Sequence, residues 1–360
     1  MNASANPPDL LPPPSDAGTP FVRQVHLVAM CMLIVVLAIH LLQMFEAVLQ
    51  ELFIAALLVY LIMPVHAWLV RHRVPPMLSF AIIVLLFLGC SFGLGQMIYY
   101  SIADFNSNWQ VYQKNLKNLG RLATERLPAP AAEQLNLFVH REEHSLEGQI
   151  HMLQSALGSF FGFLSQMVVV VIYLVFLLAE RSSLTRRLHN SFEGQRGRDI
   201  VATVDRIHAS IAQYLAVKTA MSVLTGASTA LVLLVFGVDY AVFWGILAFL
   251  FNYIPYLGSY VTVILPVLLS LVQFEDPGWA LAILAVLLII QNLIAYAIEP
   301  RLAGSRLNLS PLVIILSLAF WATIWGIVGM ILAVPLVVVV KSILENFRET
   351  KPLATLLSNE

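Results

Sequence analysis

The sequence predicts an all-α fold, a polytopic helical membrane protein of about eight membrane segments that include two broken or re-entrant helical hairpins. Three observations carry that prediction. Hydrophobic residues make up 59% of the 360 and charged residues only 11%, far from the soluble norm. The charges are also segregated: 11 fall in residues 100–157 and 11 in 180–218, against four in 219–300 and none in 311–340. Finally, two apolar runs of about 30 residues are too long for one comfortable span and too short for two with a turn.

Residues 1–22 are rich in proline and polar residues, with no Lys or Arg before Arg23, so they read as a disordered cytoplasmic tail rather than a cleaved signal. Apolar runs of spanning length follow at 25–43, 52–70, 77–99, 158–179, 219–236 and 279–299. The two awkward runs are 240–272, broken by Asn252, Pro255 and Gly258, and 311–340, broken by Gly326, Gly329 and Pro335. The expected organisation is a scaffold of membrane helices at 23–99 and an extracytoplasmic helical segment at 100–157. A membrane helix with an amphipathic cytoplasmic helix follows at 158–218, then a transport core at 219–345 and a cytoplasmic tail at 346–360.

Orientation follows from Lys and Arg, which favour cytoplasmic loops. With both termini inside, the inner segments hold Arg23, Arg71, Arg73, the Arg-rich stretch from Arg181 to Lys218, Arg301, Arg306, Lys341, Arg348 and Lys351; the short outer loops hold none. That assignment makes 240–272 enter and leave from outside and 311–340 from inside. Opposed broken hairpins are a recurring device of secondary transporters, because helix ends at mid-depth supply partial charges without ionised groups. The alternative is a pair of short spans kinked at proline.

Two polar segments have an apolar stripe. Ile102, Phe105, Trp109, Tyr112, Leu116, Leu119 and Leu122 recur at steps of three and four, expected to pack on a following helix near 133–155 or on another copy of the chain. Ile200, Val204, Ile207, Ile211 and Leu215 do the same over 198–217, which should lie along the inner membrane face or cover the core. Thr219, Ser222, Thr225, Gly226 and Ser228 then read as a close-packing surface.

The strongest functional candidate is the tip Asn252, Tyr253, Pro255, Tyr256, Gly258 and Ser259, with Pro266 beyond it. Pro255 and Gly258 are expected to free carbonyls near 251–254 for an ion or polar solute. Asn292, Tyr296 and Glu299 fall on one helical face with Gln291 beside it. Glu299 either binds a cation or carries a proton, or is an interfacial carboxylate paired with Arg301 or Arg306. The remaining pathway candidates are Ser310, Pro311, Gly326, Gly329 and Pro335. Cys31 and Cys90 read as small hydrophobes, and no metal or cofactor site is expected. Zinc-protease, nucleophile-elbow and phosphate-loop signatures are absent from the sequence, which argues against an enzyme and against ATP-driven transport. The net charge of −1 gives no footprint for nucleic acid.

The C-terminal half resembles the autoinducer-2 exporter family. The matching stretches are Gln213-Tyr214-Leu215 with Lys218-Thr219, Gly237-Val238 with Trp244-Gly245, Asn252 through Gly258 to Pro266, Glu299-Pro300-Arg301-Leu302 with Gly304, Ser310-Pro311, and Trp325-Gly326-Ile327 with Gly329 through Ala333-Val334-Pro335. The resemblance implies a homo-oligomeric transporter of the bacterial inner membrane with about eight spans. It also implies export of a small polar solute such as the furanone autoinducer-2, or exchange of a monovalent cation, sodium or lithium, for protons. A reading of another class is a non-transporting membrane scaffold.

Overall fold

The computed structural model describes residues 20–124, 162, 165–180, 187, 194–303, 309–346 and 350–358. Those residues form helices and no strand, as apolar chain in a membrane must when every backbone group has to be satisfied within its own segment. Seven helices among them are long and apolar enough to cross a bilayer, and Ser165–Glu180 and Ala241–Phe251 are shorter apolar helices. The expected tail at 1–22 falls almost wholly outside the described residues.

The chain divides into two compact units, Met1–Leu49 and Gln50–Glu360. The first contains α1 (Pro20–Met44), whose apolar side chains are exposed along its length. In a bilayer such a face meets lipid.

In the second unit, α2 (Glu46–Arg71, from Gln50 onward) and α3 (Pro76–Ser107) are joined by a short turn. Pro76 sits at the first position of α3, where the missing N–H costs nothing. Ala55 and Ile62 of α2 pack with Ile83 of α3 and with Val170 and Leu174 of α5 (Ser165–Glu180), one of three apolar cores. Between α3 and α5 lies α4 (Trp109–Thr124).

Helix α6 (Gly194–Val235) runs unbroken for 42 residues, about 63 Å. The amphipathic segment expected at 198–217 and the span expected at 219–236 are therefore one helix, because nothing at Lys218 interrupts the hydrogen-bond ladder. It ends at Gly237, whose positive φ of 71° lets Val238 N–H reach Leu233 O at 2.8 Å and Gly237 N–H reach Leu234 O at 3.1 Å.

Both awkward apolar runs double back. Helices α7 (Ala241–Phe251) and α8 (Leu257–Phe274) have their open ends tied together, since Gln273 accepts from Asp239 N–H at 2.9 Å and donates to Gly237 O at 2.9 Å. In α11 (Pro311–Asn346) the helical backbone fails at Trp325 and Gly326, leaving arms 311–324 and 327–346. Ser317 Oγ donates to Ala333 O at 3.2 Å, although residues 16 apart on a straight helix stand about 24 Å apart.

The hairpin bases lie toward opposite ends of α6. Val232 and Leu233 share a core with Ala241 and Val263, whereas Ile211 and Leu215 share one with Leu309, Val334 and Val338. Some 20 residues of helix separate those two levels, roughly 30 Å or one hydrocarbon thickness.

Helix α9 (Pro277–Asn292) starts at Asp276, whose carboxylate accepts from Gly278 N–H at 2.8 Å. It passes through a π-helical turn, Leu293–Ile298, into α10 (Glu299–Ala303). Helix α12 (Lys351–Leu356) follows, and Ser310 N–H donates to Leu357 O at 3.0 Å, so this part of the 346–360 segment packs at the base of the second hairpin.

Polar side chains of α4, with Tyr112 of the stripe, meet the first hairpin. Tyr112 donates to Asp239 at 2.7 Å, Asn115 to Val272 O at 3.1 Å and Asn118 to Glu275 at 3.3 Å, so α4 straps the base of the first hairpin. Burial first, then Tyr240 and Asp239, push the Tyr112 phenol up, which keeps it a donor. Leu116 and Leu122 stay exposed, and 133–155 lies outside the described residues.

Candidate functional site

One face of α6 carries the candidate site. Lys218, Ser222, Thr225 and Thr229 recur at steps of four and three and are all buried, so the polar face points into the protein. The sequence reading of this stretch as a packing surface is half right. Gly226 does allow close approach: a Cβ there would lie 2.6 Å from Gly245 O on α7. The hydroxyls that bond across helices lie one and two turns earlier, at Ser222 and Thr219, whereas Ser228 bonds to Thr225 O within α6 and the buried Thr225 hydroxyl has no hydrogen-bond partner among the described residues.

The tip of the first hairpin meets that face. Asn252 Nδ2 donates to Ser222 Oγ at 3.0 Å, and the hydroxyls of Tyr253 and Thr219 lie 2.7 Å apart. Gly258 is obligatory, because a Cβ would stand 2.0 Å from Phe251 O. Tyr256 takes a positive φ of 63° to reverse the chain, and its ring is exposed. Ser259 contributes its carbonyl, which accepts from Thr262 Oγ1 at 3.2 Å. Pro266 is buried in α8.

The carbonyls expected to be freed near 251–254 are not all free. Phe251 O accepts from Ile254 N–H at 2.9 Å, Leu250 O from Tyr253 N–H at 3.3 Å and Ile254 O from Gly258 N–H at 3.1 Å. The turn is tight enough to recover most of what Pro255 removes.

The expected stripe of Asn292, Tyr296 and Glu299 does not converge. The π turn adds a residue to the cycle, so steps of four and three no longer share a face. Asn292 donates back to Leu288 O at 2.8 Å, and Tyr296 is 80% exposed. Gln291 is the inward residue, donating to Thr262 Oγ1 at 3.2 Å. Glu299 also turns inward, and its partner is Lys218, with Nζ and Oε1 3.0 Å apart and side-chain exposures of 10% and 30%. Periodicity could not find this pair because its members lie 81 residues apart.

The second hairpin meets this region at Tyr214, which packs against the core that includes Leu309, Val334 and Val338. Gly326 is the kink, with φ of 59°; Gly329 allows the arms to touch, since a Cβ would lie 2.1 Å from Trp321 O; Pro335 is buried. Ser310 and Pro311 start the first arm at its base. Trp325 O accepts from Gln50 Nε2 at 3.2 Å, and the Trp325 ring stands 5.6 Å from Phe53. No group of three metal-ligating side chains occurs among the described residues.

The residues the sequence reading missed are Lys218, Thr219 and Ser222 as site groups, together with Tyr214. A charged side chain inside an apolar helix was the available signal for Lys218.

Comparison with known proteins shows the family. A family model described as AI-2E family transporter matches residues 27–349. A chain from Borreliella burgdorferi named "Putative transport protein" is 31% identical over 331 residues, covering 91% of this chain and 89% of that one. The AI-2 transport protein TqsA of Escherichia coli is 30% identical over 318 residues, covering 85% of this chain and 88% of its own. This polytopic α-helical protein belongs to the AI-2E family of transporters.

Proposed function

We propose that the chain exports a small, neutral, polar solute, with a substance of the autoinducer-2 kind as the leading candidate, across the bacterial inner membrane with both termini cytoplasmic. The passage runs along the buried polar face of α6, under the Asn252 tip and past Glu299. The observation that carries this reading is that the charged side chains the described residues bring to that face, Lys218 and Glu299, pair with each other at 3.0 Å. A face of amides, hydroxyls and one closed ion pair suits an uncharged hydroxylated solute and offers no excess charge to an ion.

The name of the Escherichia coli relative supports the solute. The sodium/proton alternative finds no support in the geometry, since the carboxylate it needs already has a cationic partner. A scaffold reading leaves the buried polar face without a use. Transport would then proceed by moving the two hairpins, each entering from its own side of the membrane, against the remaining helices.

The test is uptake of labelled autoinducer-2 into proteoliposomes. Wild type should carry it, and Asn252→Ala should lose most of the flux while remaining folded. Equal flux in the two, or no flux in either, overturns the assignment.

A further inference from the structure

Next to the ion pair lies an unsatisfied group. Tyr214 is one helical turn before Lys218, so the two share a face of α6. Its hydroxyl is buried and has no hydrogen-bond partner among the described residues. Glu299 and Tyr253 are the groups near enough to act on it electrostatically. A buried, unpaired tyrosine hydroxyl is costly in the resting protein and is rarely kept without a use. The neighbouring Glu299 uses Oε1 for Lys218, and a carboxylate has further lone pairs to offer.

We propose that Tyr214 and Glu299 form a subsite that takes a hydroxyl group of a neutral polyol, Tyr214 donating to the hydroxyl oxygen and Glu299 accepting the hydroxyl proton in a hydrogen bond. The inference rests on the passage proposed above and names the chemistry its inner portion selects. Lys218 is a positioning residue here: its ammonium, 3.0 Å from Oε1, holds the carboxylate in place. The π turn at Leu293–Ile298 aims Glu299 at this point. Tyr253, bonded to Thr219, closes the subsite toward the hairpin tip.

Tyr214→Phe separates this from a structural role, because it removes only an oxygen that bonds to none of the described residues. Its unfolding midpoint without solute should equal or exceed that of wild type. The probes are erythritol, a neutral polyol, and 1,4-butanediol, which lacks the inner hydroxyls. Erythritol should raise the midpoint of wild type more than 1,4-butanediol does, and Tyr214→Phe should weaken apparent erythritol affinity about three- to tenfold. Any general osmolyte effect is common to both proteins and cancels.

Equal responses of the two proteins to erythritol, or equal effects of the two probes, overturn the subsite. Autoinducer-2 flux reports on the export reading separately. Flux with no Tyr214 dependence sinks the subsite alone, whereas Tyr214-dependent erythritol binding without flux sinks the export reading alone.

Discussion

The hairpin formed by α7 and α8 and the hairpin within α11 close by one steric device. In each, a glycine in the second arm rests on a carbonyl of the first, Gly258 on Phe251 and Gly329 on Trp321, at distances no Cβ tolerates. Each second arm also contains a buried proline, Pro266 and Pro335. The tips differ. The first turns on Asn252 and Tyr253, both bonded to hydroxyls of α6, and puts Tyr256 at positive φ, while Tyr240 and Glu275 take positive φ at its base. The second turns on Trp325 and Gly326, among Phe53 and Trp321, with glycine alone in the left-handed region. A shared way of reversing the chain thus carries a polar tip in one case and an aromatic one in the other.

The largest effects should fall on the shared device. Gly258→Ala and Gly329→Ala each drive a methyl group into backbone and should cost about 3 kcal/mol or more. Thermal unfolding in detergent should show both as severely destabilised; tolerance of either would break the parallel between the hairpins.

Next comes the ion pair beside the first tip. Lys218→Met strands a partly buried carboxylate and should cost about 3 kcal/mol, and adding Glu299→Gln should recover much of it. A double variant no more stable than the single would show that the two charges do not act as a unit.

Smaller effects should separate the tips. Asn252→Ala loses one hydrogen bond, about 1 kcal/mol, yet should abolish most solute flux. Gly326→Ala strains a left-handed position by about 1–2 kcal/mol and should lower flux only as far as it lowers the folded fraction. Comparable flux loss per unit of destabilisation in both would erase the functional distinction. The smallest change is expected for Tyr112→Phe on the strap, about 1 kcal/mol from the lost donation to Asp239, read as a modest drop in the unfolding midpoint.

Much of this was legible in the sequence because hydrocarbon imposes simple rules. Exclusion of charge marks the spans, and Pro255, Gly258, Gly326 and Gly329 mark where the two long runs must break. The Asn252 tip was recognisable from its composition. The periodic stripe at Ile207, Ile211 and Leu215 also does pack into a core. The reading fell short where the helical repeat is interrupted or where a polar partner lies far along the chain. The face assigned to Asn292, Tyr296 and Glu299 assumed an uninterrupted 3.6-residue repeat, and a π turn leaves no compositional trace. The α4 stripe was assigned to a sequence neighbour or a second copy, whereas its Asn and Tyr side chains fit loop carbonyls and a carboxylate more than 120 residues away.

By itself, then, the sequence determined that the chain is a bundle of membrane helices with two broken segments, because apolar length and charge exclusion are local quantities. Only the tertiary structure decided that Lys218 faces Glu299, that Ser222 and Thr219 receive the hairpin tip, and that the Tyr214 hydroxyl stands unpaired beside them. Those facts are set by how helices far apart in the chain pack against one another, and a buried charge or hydroxyl acquires its role from the partner that packing brings to it.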